Sequence, residues 1–138
     1  MKLLVALDDS EPGWTALEFA CTEHATDGIT VVHAIDLTDS GYGEFAHVGT
    51  DQMLDRRQTA ATAMFERARE HASEHGCSIE TEIVRGQPAE AIVDYATQHP
   101  IDRIVVGSHG RTGVSRILLG SVAEQIARRA PVSVTIVR

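Results

Sequence analysis

The sequence predicts an α/β protein built on an open, five-stranded parallel sheet flanked by four helices. Three observations carry this. Five short apolar runs, LLVAL (3–7), ITVVHAI (29–35), SIETEIV (78–84), DRIVVG (102–107) and VSVTIVR (132–138), alternate with four segments of helical spacing. Strands and helices in strict alternation imply parallel pairing through right-handed crossovers. The first run is continuously apolar, as a strand covered on both faces must be. The third, with charges at alternate positions, suits a sheet edge. A chain of 138 residues suits one domain over 1–138, and with aromatics at 4% its core rests on Val, Ile, Leu and Ala.

Each helix carries its own signals. SEPGWTALEFACTEHA opens with Ser10 as a cap and Pro12 in the first turn, and sets Leu17, Ala20 and Cys21 on one face. After a polar stretch at 36–49, the longest loop, a second helix is predicted over 51–75. Its apolar positions are Leu54, Ala61, Phe65, Ala68 and Ala72, and Gly76 stops it. GQP turns the chain into a third helix with Ala89, Ile92, Val93 and Ala96 on one face, ended by Pro100. A fourth helix starts near Gly120 and places Ala123, Ile126, Ala127 and Ala130 together.

Composition excludes several classes. The net charge of −8 argues against nucleic-acid binding, which needs Lys and Arg against phosphate. No apolar run approaches the roughly 20 residues of a membrane span. MKLLVALDDS reads as a strand followed by acids, not a leader, so a cytoplasmic protein is expected. Lys2 is the only lysine. An acidic, lysine-poor surface fits a high-salt cytoplasm, as in a halophile, and fits a GC-rich genome equally well. Cys21 and Cys77 lack metal or redox spacing and read as reduced, buried thiols.

In parallel sheets of this kind, ligands bind beyond the carboxyl ends of the strands, where strand order reverses. The segments to search are therefore Asp8–Ser10, Ala34–Asp36, Gly86 and everything from Gly107. The last is GSHGRTGVSRILLGS (107–121), with four glycines after a buried strand. It is neither a Walker A loop nor GxGxxG. It does have the chemistry of an anion site. Glycines let backbone N–H groups face a phosphate, and Gly120-Ser121-Val122 would aim free N–H groups and a helix dipole at the same anion.

The spacing G107-x2-G110-x9-G120-S121 resembles the signature of the ATP-binding branch of the universal stress protein family. LLVALDDSEP, VVHAID, GQPAEAIVDYA and DRIVVGSHGRTG carry the resemblance nearly end to end. It implies a Rossmann-like sheet, of the adenine nucleotide alpha hydrolase type, with strand order 3-2-1-4-5. It implies that Asp8 hydrogen-bonds the ribose or bases nearby, that Ala34 offers backbone contacts to adenine, and that Gly107, Gly110, Gly120, Ser121 and Val122 wrap ribose and phosphates. The implied ligand is ATP with Mg²⁺ or Mn²⁺. The implied assembly is a homodimer through the final strand, 132–137. The first turn often reads DGS in this family and here reads DDS, so Asp9 brings a negative charge near the site.

Plainer readings stand beside these. Ser121 and Glu124 form the pattern of a capping box. Gly107 serves tight strand–helix packing equally well. Asp8 and Asp9 suit a solvated turn, Asp36 would assist a metal only beside phosphates, and Arg111 and Arg116 suit exposed loop charges as well as phosphate partners. His109 and His33 titrate near neutral pH in principle, and His33 reads as a packed core histidine. Trp14 reads as packing at the rim of the site. No nucleophile–base pair stands out, so at most slow ATP hydrolysis is expected of a stress-response module. A phosphoacceptor receiver is excluded by the missing acceptor aspartate after the third strand and the missing lysine after the fifth. An adenylating enzyme would need a glycine-serine loop where DDSEPG stands. The surviving alternative is a nucleotide-independent dimeric interaction module.

Overall fold

The computed structural model describes residues 1–39, 49–108 and 119–138. The elements in order are β1 (Lys2–Ala6), α1 (Glu11–Glu23), β2 (Gly28–Ile35), a 3-10 turn (Leu37–Asp39), α2 (Thr50–Glu74), β3 (Ile79–Arg85), α3 (Pro88–Gln98), β4 (Arg103–Gly107), α4 (Ser121–Arg129) and β5 (Ser133–Val137). The five strands form one sheet in the order β3-β2-β1-β4-β5, all neighbours parallel. Strand order reverses between β1 and β4, because β2 and β3 lie to one side of β1 and β4 and β5 to the other. The alternating pattern of β3 fits its place at an edge.

The period of two along the strands sorts the core into two layers. Leu3, Val5, Val31 and Val105 pack against α1 and α2, with Leu17, Ala20, Phe65 and Ala68. Leu4, Val32, Ile104 and Val106 face α3 and α4, with Ile92, Ala96, Ala123 and Ile126. The helix faces follow the predicted spacing with two differences. Met53, not Leu54, is fully buried at the start of α2, Leu54 being half-covered. Ala127 is exposed, while Ala123 and Ile126 are buried and Val122 and Ala130 pack half-buried against the same core.

Local chemistry sets the helix ends. Ser10 caps α1, its Oγ accepting from Gly13 N–H at 3.2 Å. Gln87 caps α3, its Oε1 accepting from Glu90 N–H at 2.9 Å, and Pro88 follows at the first helical position. Past the end of α2, Gly76 has φ 69. There Gly76 N–H donates to Ser73 O and Cys77 N–H to Ala72 O, closing the last turn.

Cys21 and Cys77, 56 positions apart in the sequence, meet in the α1–α2 layer, both buried and both free. Burial first, and then the hydrogen bond with Cys77, push the Cys21 thiol up to about 12. A thiol so held stays protonated and unreactive.

Candidate functional site

A cleft opens at the carboxyl ends of the strands where β1 and β4 part. Its lining comes from six elements or their ends: Ala6, Leu7 and Asp8 after β1, Val32, His33 and Ala34 on β2, Gly13 on α1, Pro88 and Ile92 on α3, Val106 and Gly107 on β4, and Val122 and Ala123 on α4. Most of these side chains are apolar, so the walls favour a flat, weakly polar group. The polar chemistry concentrates at three places.

The first is the turn after β1. Asp8 Oδ1 accepts from Ser10 N–H at 3.1 Å and from the Ser10 hydroxyl. Its second oxygen has no partner among the described residues, which leaves an acceptor at the cleft. Gly13 must be glycine for this arrangement, since a Cβ there would lie 2.9 Å from Asp8 Oδ1. Asp9 is turned elsewhere. Its Oδ1 accepts from Trp14 Nε1 at 2.9 Å and its Oδ2 from Arg67 Nη2 at 3.0 Å. The negative charge that the DDS turn brings is thus paired with Arg67 and does not line the cleft.

The second is the end of β2. Its ladder with β1 stops at the pair Ala6↔Val32, and Leu7 N–H then donates to Val32 O at 2.9 Å. Val32 therefore turns its carbonyl toward β1, and the period of two turns the N–H and C=O of Ala34 the same way. Beyond Leu7 there is no strand on that side to receive them. Ile35 O points the other way, accepting from Gly86 N–H at 3.0 Å. Ala34 so presents one donor and one acceptor to the cleft. His33 is not the core histidine the sequence suggested. It is half-buried, lines the cleft and bonds Leu7 O through Nδ1 at 2.7 Å. A carbonyl only accepts, so Nδ1 carries the proton.

The third is the start of α4. Gly120 is its cap residue, with no side-chain cap bond. Gly120 N–H donates to Ser108 O at 2.7 Å, and Gly120 O accepts from Glu124 N–H at 3.0 Å. Both groups are spent internally, so Gly120 supplies no free N–H of its own. The capping box does not form either. Ser121 is the first helical residue, one position too late, and Glu124 pairs with Arg128 at 2.7 Å. What remains open is the N–H groups of Ser121, Val122 and Ala123, the helix's first three, with no partner among the described residues.

The predicted site residues thus divide. Asp8, Ala34, Gly107 and Val122 line the cleft. Gly120 and Ser121 stand at the start of α4, just before Val122 in the chain, and do not line the cleft. Gly110, with His109, Arg111 and Arg116, lies outside the described residues. Gly107 has a packing role in addition. A Cβ there would sit 2.7 Å from the Pro12 carbonyl carbon, carbonyl oxygen and Cβ, so α1 can cross β4 only over a glycine. Gly13 and Pro88 were not singled out from the sequence, and Ile92 was read there only as a core position of the third helix. Gly13 left a signal, since a glycine inside a first helical turn is costly unless space demands it.

No group of three or more His, Cys, Asp or Glu among the described residues could hold an ion. Asp36 Oδ1 is occupied by Thr38 N–H at 3.0 Å and Thr38 Oγ1 at 2.5 Å. Among the described residues Asp8 is the one carboxylate that lines the cleft. A divalent cation would have to arrive with a ligand that brings most of its own oxygens. Among the described residues, no helix is long and apolar enough to cross a membrane.

The chain matches the model of the universal stress protein family over residues 1–138. Universal stress protein YxiE of Bacillus subtilis is 29% identical over 145 aligned positions, covering 99% of this chain and 98% of that protein. The structure of UspA from Lactobacillus plantarum superposes with a TM-score of 0.82 at 27% identity, over 100% of this chain and 97% of that one. The structure of a universal stress protein in complex with cAMP superposes with a TM-score of 0.76 at 25% identity, covering 100% and 97%. The sheet order, the cleft at its reversal point and the end-to-end match agree: this chain belongs to the universal stress protein family.

Proposed function

We propose that the cleft binds an adenine nucleotide, with ATP and an accompanying Mg²⁺ or Mn²⁺ as the physiological ligand, and that the protein is a nucleotide-loaded module of a cytoplasmic stress response. The observation that carries this is the backbone of Ala34. One N–H and one C=O, side by side at the mouth of an apolar slot, complement the ring nitrogen and exocyclic amine on the Watson–Crick edge of adenine. The relative that holds cAMP supports the same ligand class.

The other two polar places complete the fit. Ribose hydroxyls are donors, and the open oxygen of Asp8 is an acceptor. Phosphates seek donors and positive potential, and the N–H groups of Ser121, Val122 and Ala123 at the helix start provide both. Asp8 would repel a phosphate and attract a ribose, which fixes the ligand's direction along the cleft. The metal would bridge phosphate oxygens and add charge neutralisation there. Gly110 belongs to the same proposal through the glycine signature.

Hydrolysis is at most slow. Asp8 Oδ1 is taken up by Ser10, and His33, whose Nδ1–H is held by Leu7 O so that Nε2 is its accepting nitrogen, has no nucleophile or carboxylate beside Nε2 among the described residues. Titration calorimetry of nucleotide-stripped protein with Mg-ATP tests the reading. Saturable binding that weakens about tenfold or more in Asp8→Ala supports it, a charge-assisted hydrogen bond being worth ~1.5–3 kcal/mol. No binding by the unaltered protein would end it.

The assembly proposed is a homodimer through β5. That strand is an edge of the sheet, and Val134, Ile136 and Val137 along it are only half-buried. An edge with open backbone groups and apolar side chains invites pairing. A second reading, a dimeric interaction module without nucleotide, rests on the same edge. It becomes the account if calorimetry shows no binding and sedimentation still shows a dimer.

A further inference from the structure

Asp9 is the one non-glycine residue with positive φ among the described residues, at 64°. Left-handed backbone is disfavoured for any residue with a Cβ, though Asp tolerates it better than most. Such outliers persist only where surrounding contacts over-determine them. Two helices supply such contacts. From α1, Trp14 Nε1 donates to Asp9 Oδ1 at 2.9 Å. From α2, Arg67 Nη2 donates to Asp9 Oδ2 at 3.0 Å, and the same guanidinium lies 5.7 Å from the centre of the Trp14 ring. Trp14 in turn meets the His71 ring edge-on at 6.2 Å.

The residue on the other side of that strained peptide is Asp8. Asp8 faces the cleft and Asp9 faces away, so the turn at Asp9 sets where the Asp8 carboxylate points. Relaxing Asp9 to an ordinary φ would rotate the peptide that joins them. We propose that Arg67 and Trp14 are positioning residues for the ligand: they hold Asp9 left-handed and so keep the Asp8 carboxylate aimed into the cleft. Among the described residues Arg67 is not part of the cleft lining, and it acts through the turn. The inference rests on the nucleotide reading of the cleft. It also accounts for the departure of this chain from the DGS turn, where a glycine would take the left-handed conformation with no clamp.

The Arg67 and Asp9 side chains are 56% and 43% exposed. Exposed ion pairs contribute little to global stability, so the fold tolerates losing this one, and what changes is the geometry of one turn. A double-mutant cycle on the whole chain separates the two roles. Arg67→Ala weakens Mg-ATP binding two- to fivefold while the melting temperature stays within a few degrees. Asp9→Gly binds within twofold of the unaltered protein, because glycine takes the required φ unaided. Adding Arg67→Ala to Asp9→Gly then costs no further affinity. Two results overturn the proposal. One is Arg67→Ala binding as the unaltered protein does. The other is an equal loss with and without Asp9→Gly, which would mean that Arg67 acts by charge alone.

A ligand-free arm keeps the inference separate from the proposed function. Backbone chemical shifts of Asp9 report its conformation without nucleotide. If the unaltered protein binds no Mg-ATP, the nucleotide reading fails. The clamp is then judged by whether Arg67→Ala moves Asp9 out of the left-handed region. Departure supports it, and an unchanged Asp9 overturns it.

Discussion

Adding a single methyl group at Gly107 tests how the sheet and the first helix share the cleft. In Gly107→Ala the new Cβ would lie 2.7 Å from three atoms of Pro12, two of them backbone. Backbone cannot swing aside as a side-chain tip can, so α1 must shift or β4 must bend. Gly107 has no positive φ, so the penalty is one of space and not of conformation. Overpacking of this kind costs ~1–3 kcal/mol. With an unfolding entropy of ~2.1 cal/mol/K per residue, 138 residues give about 0.3 kcal/mol/K, and the melting temperature should fall by about 3–10 °C. The assay is thermal unfolding of ligand-free protein followed by circular dichroism. Gly28→Ala is the control, since a Cβ there meets only Lys2 Cγ at an ordinary 3.7 Å. Equal melting temperatures for the Gly107→Ala and unaltered proteins would refute the packing argument. The glycine would then owe its place to the ligand alone.

Two further outcomes follow from the structure. Ser10→Ala removes the α1 cap and one partner of Asp8 together. It should cost ~1 kcal/mol of stability by denaturant unfolding. The thiol of Cys21 is raised above its unfolded value of 9.0 to about 12. The stability it contributes is therefore complete below pH 9 and declines from there toward 12, as the unfolded thiol ionises and the folded one does not. Cys21→Ala should flatten that part of the pH profile. In the unaltered protein a thiol reagent at pH 8 should label this position only on unfolding.

The architecture was legible because it rests on local signals. Alternating apolar runs and helix-spaced faces are read within ten or so residues, and they placed all ten ends of the five strands within about two positions. Asp8, Ala34 and Gly107 were legible as cleft residues because strand ends in a parallel sheet mark the ligand side, and Val122 because it stands at the helix start that follows the last glycine of the signature. What failed was finer. Ser121-x-x-Glu124 has the letters of a capping box. Which residue ends the loop was decided by the Gly120 N–H bond to Ser108, a contact between two chain segments. His33 sits among apolar letters, and only the early end of β1 beside it shows that its neighbourhood is open. The Asp9–Arg67 pair spans 58 positions, and the contact of Cys21 with Cys77 is equally remote in the sequence. No pattern shorter than the fold contains them.

On the proposal above, the open backbone of Ala34 and the start of α4 receive the two ends of one adenine nucleotide. Titration of nitrogen-15-labelled, nucleotide-stripped protein with Mg-ATP, followed by amide resonances, tests it most directly. The amides of Ala34, Ser121 and Val122 should move together along one saturable curve, while those of β3 and the far end of the sheet stay still. Saturable binding that leaves the Ala34 amide unmoved, or no movement at any of the three, would contradict the account.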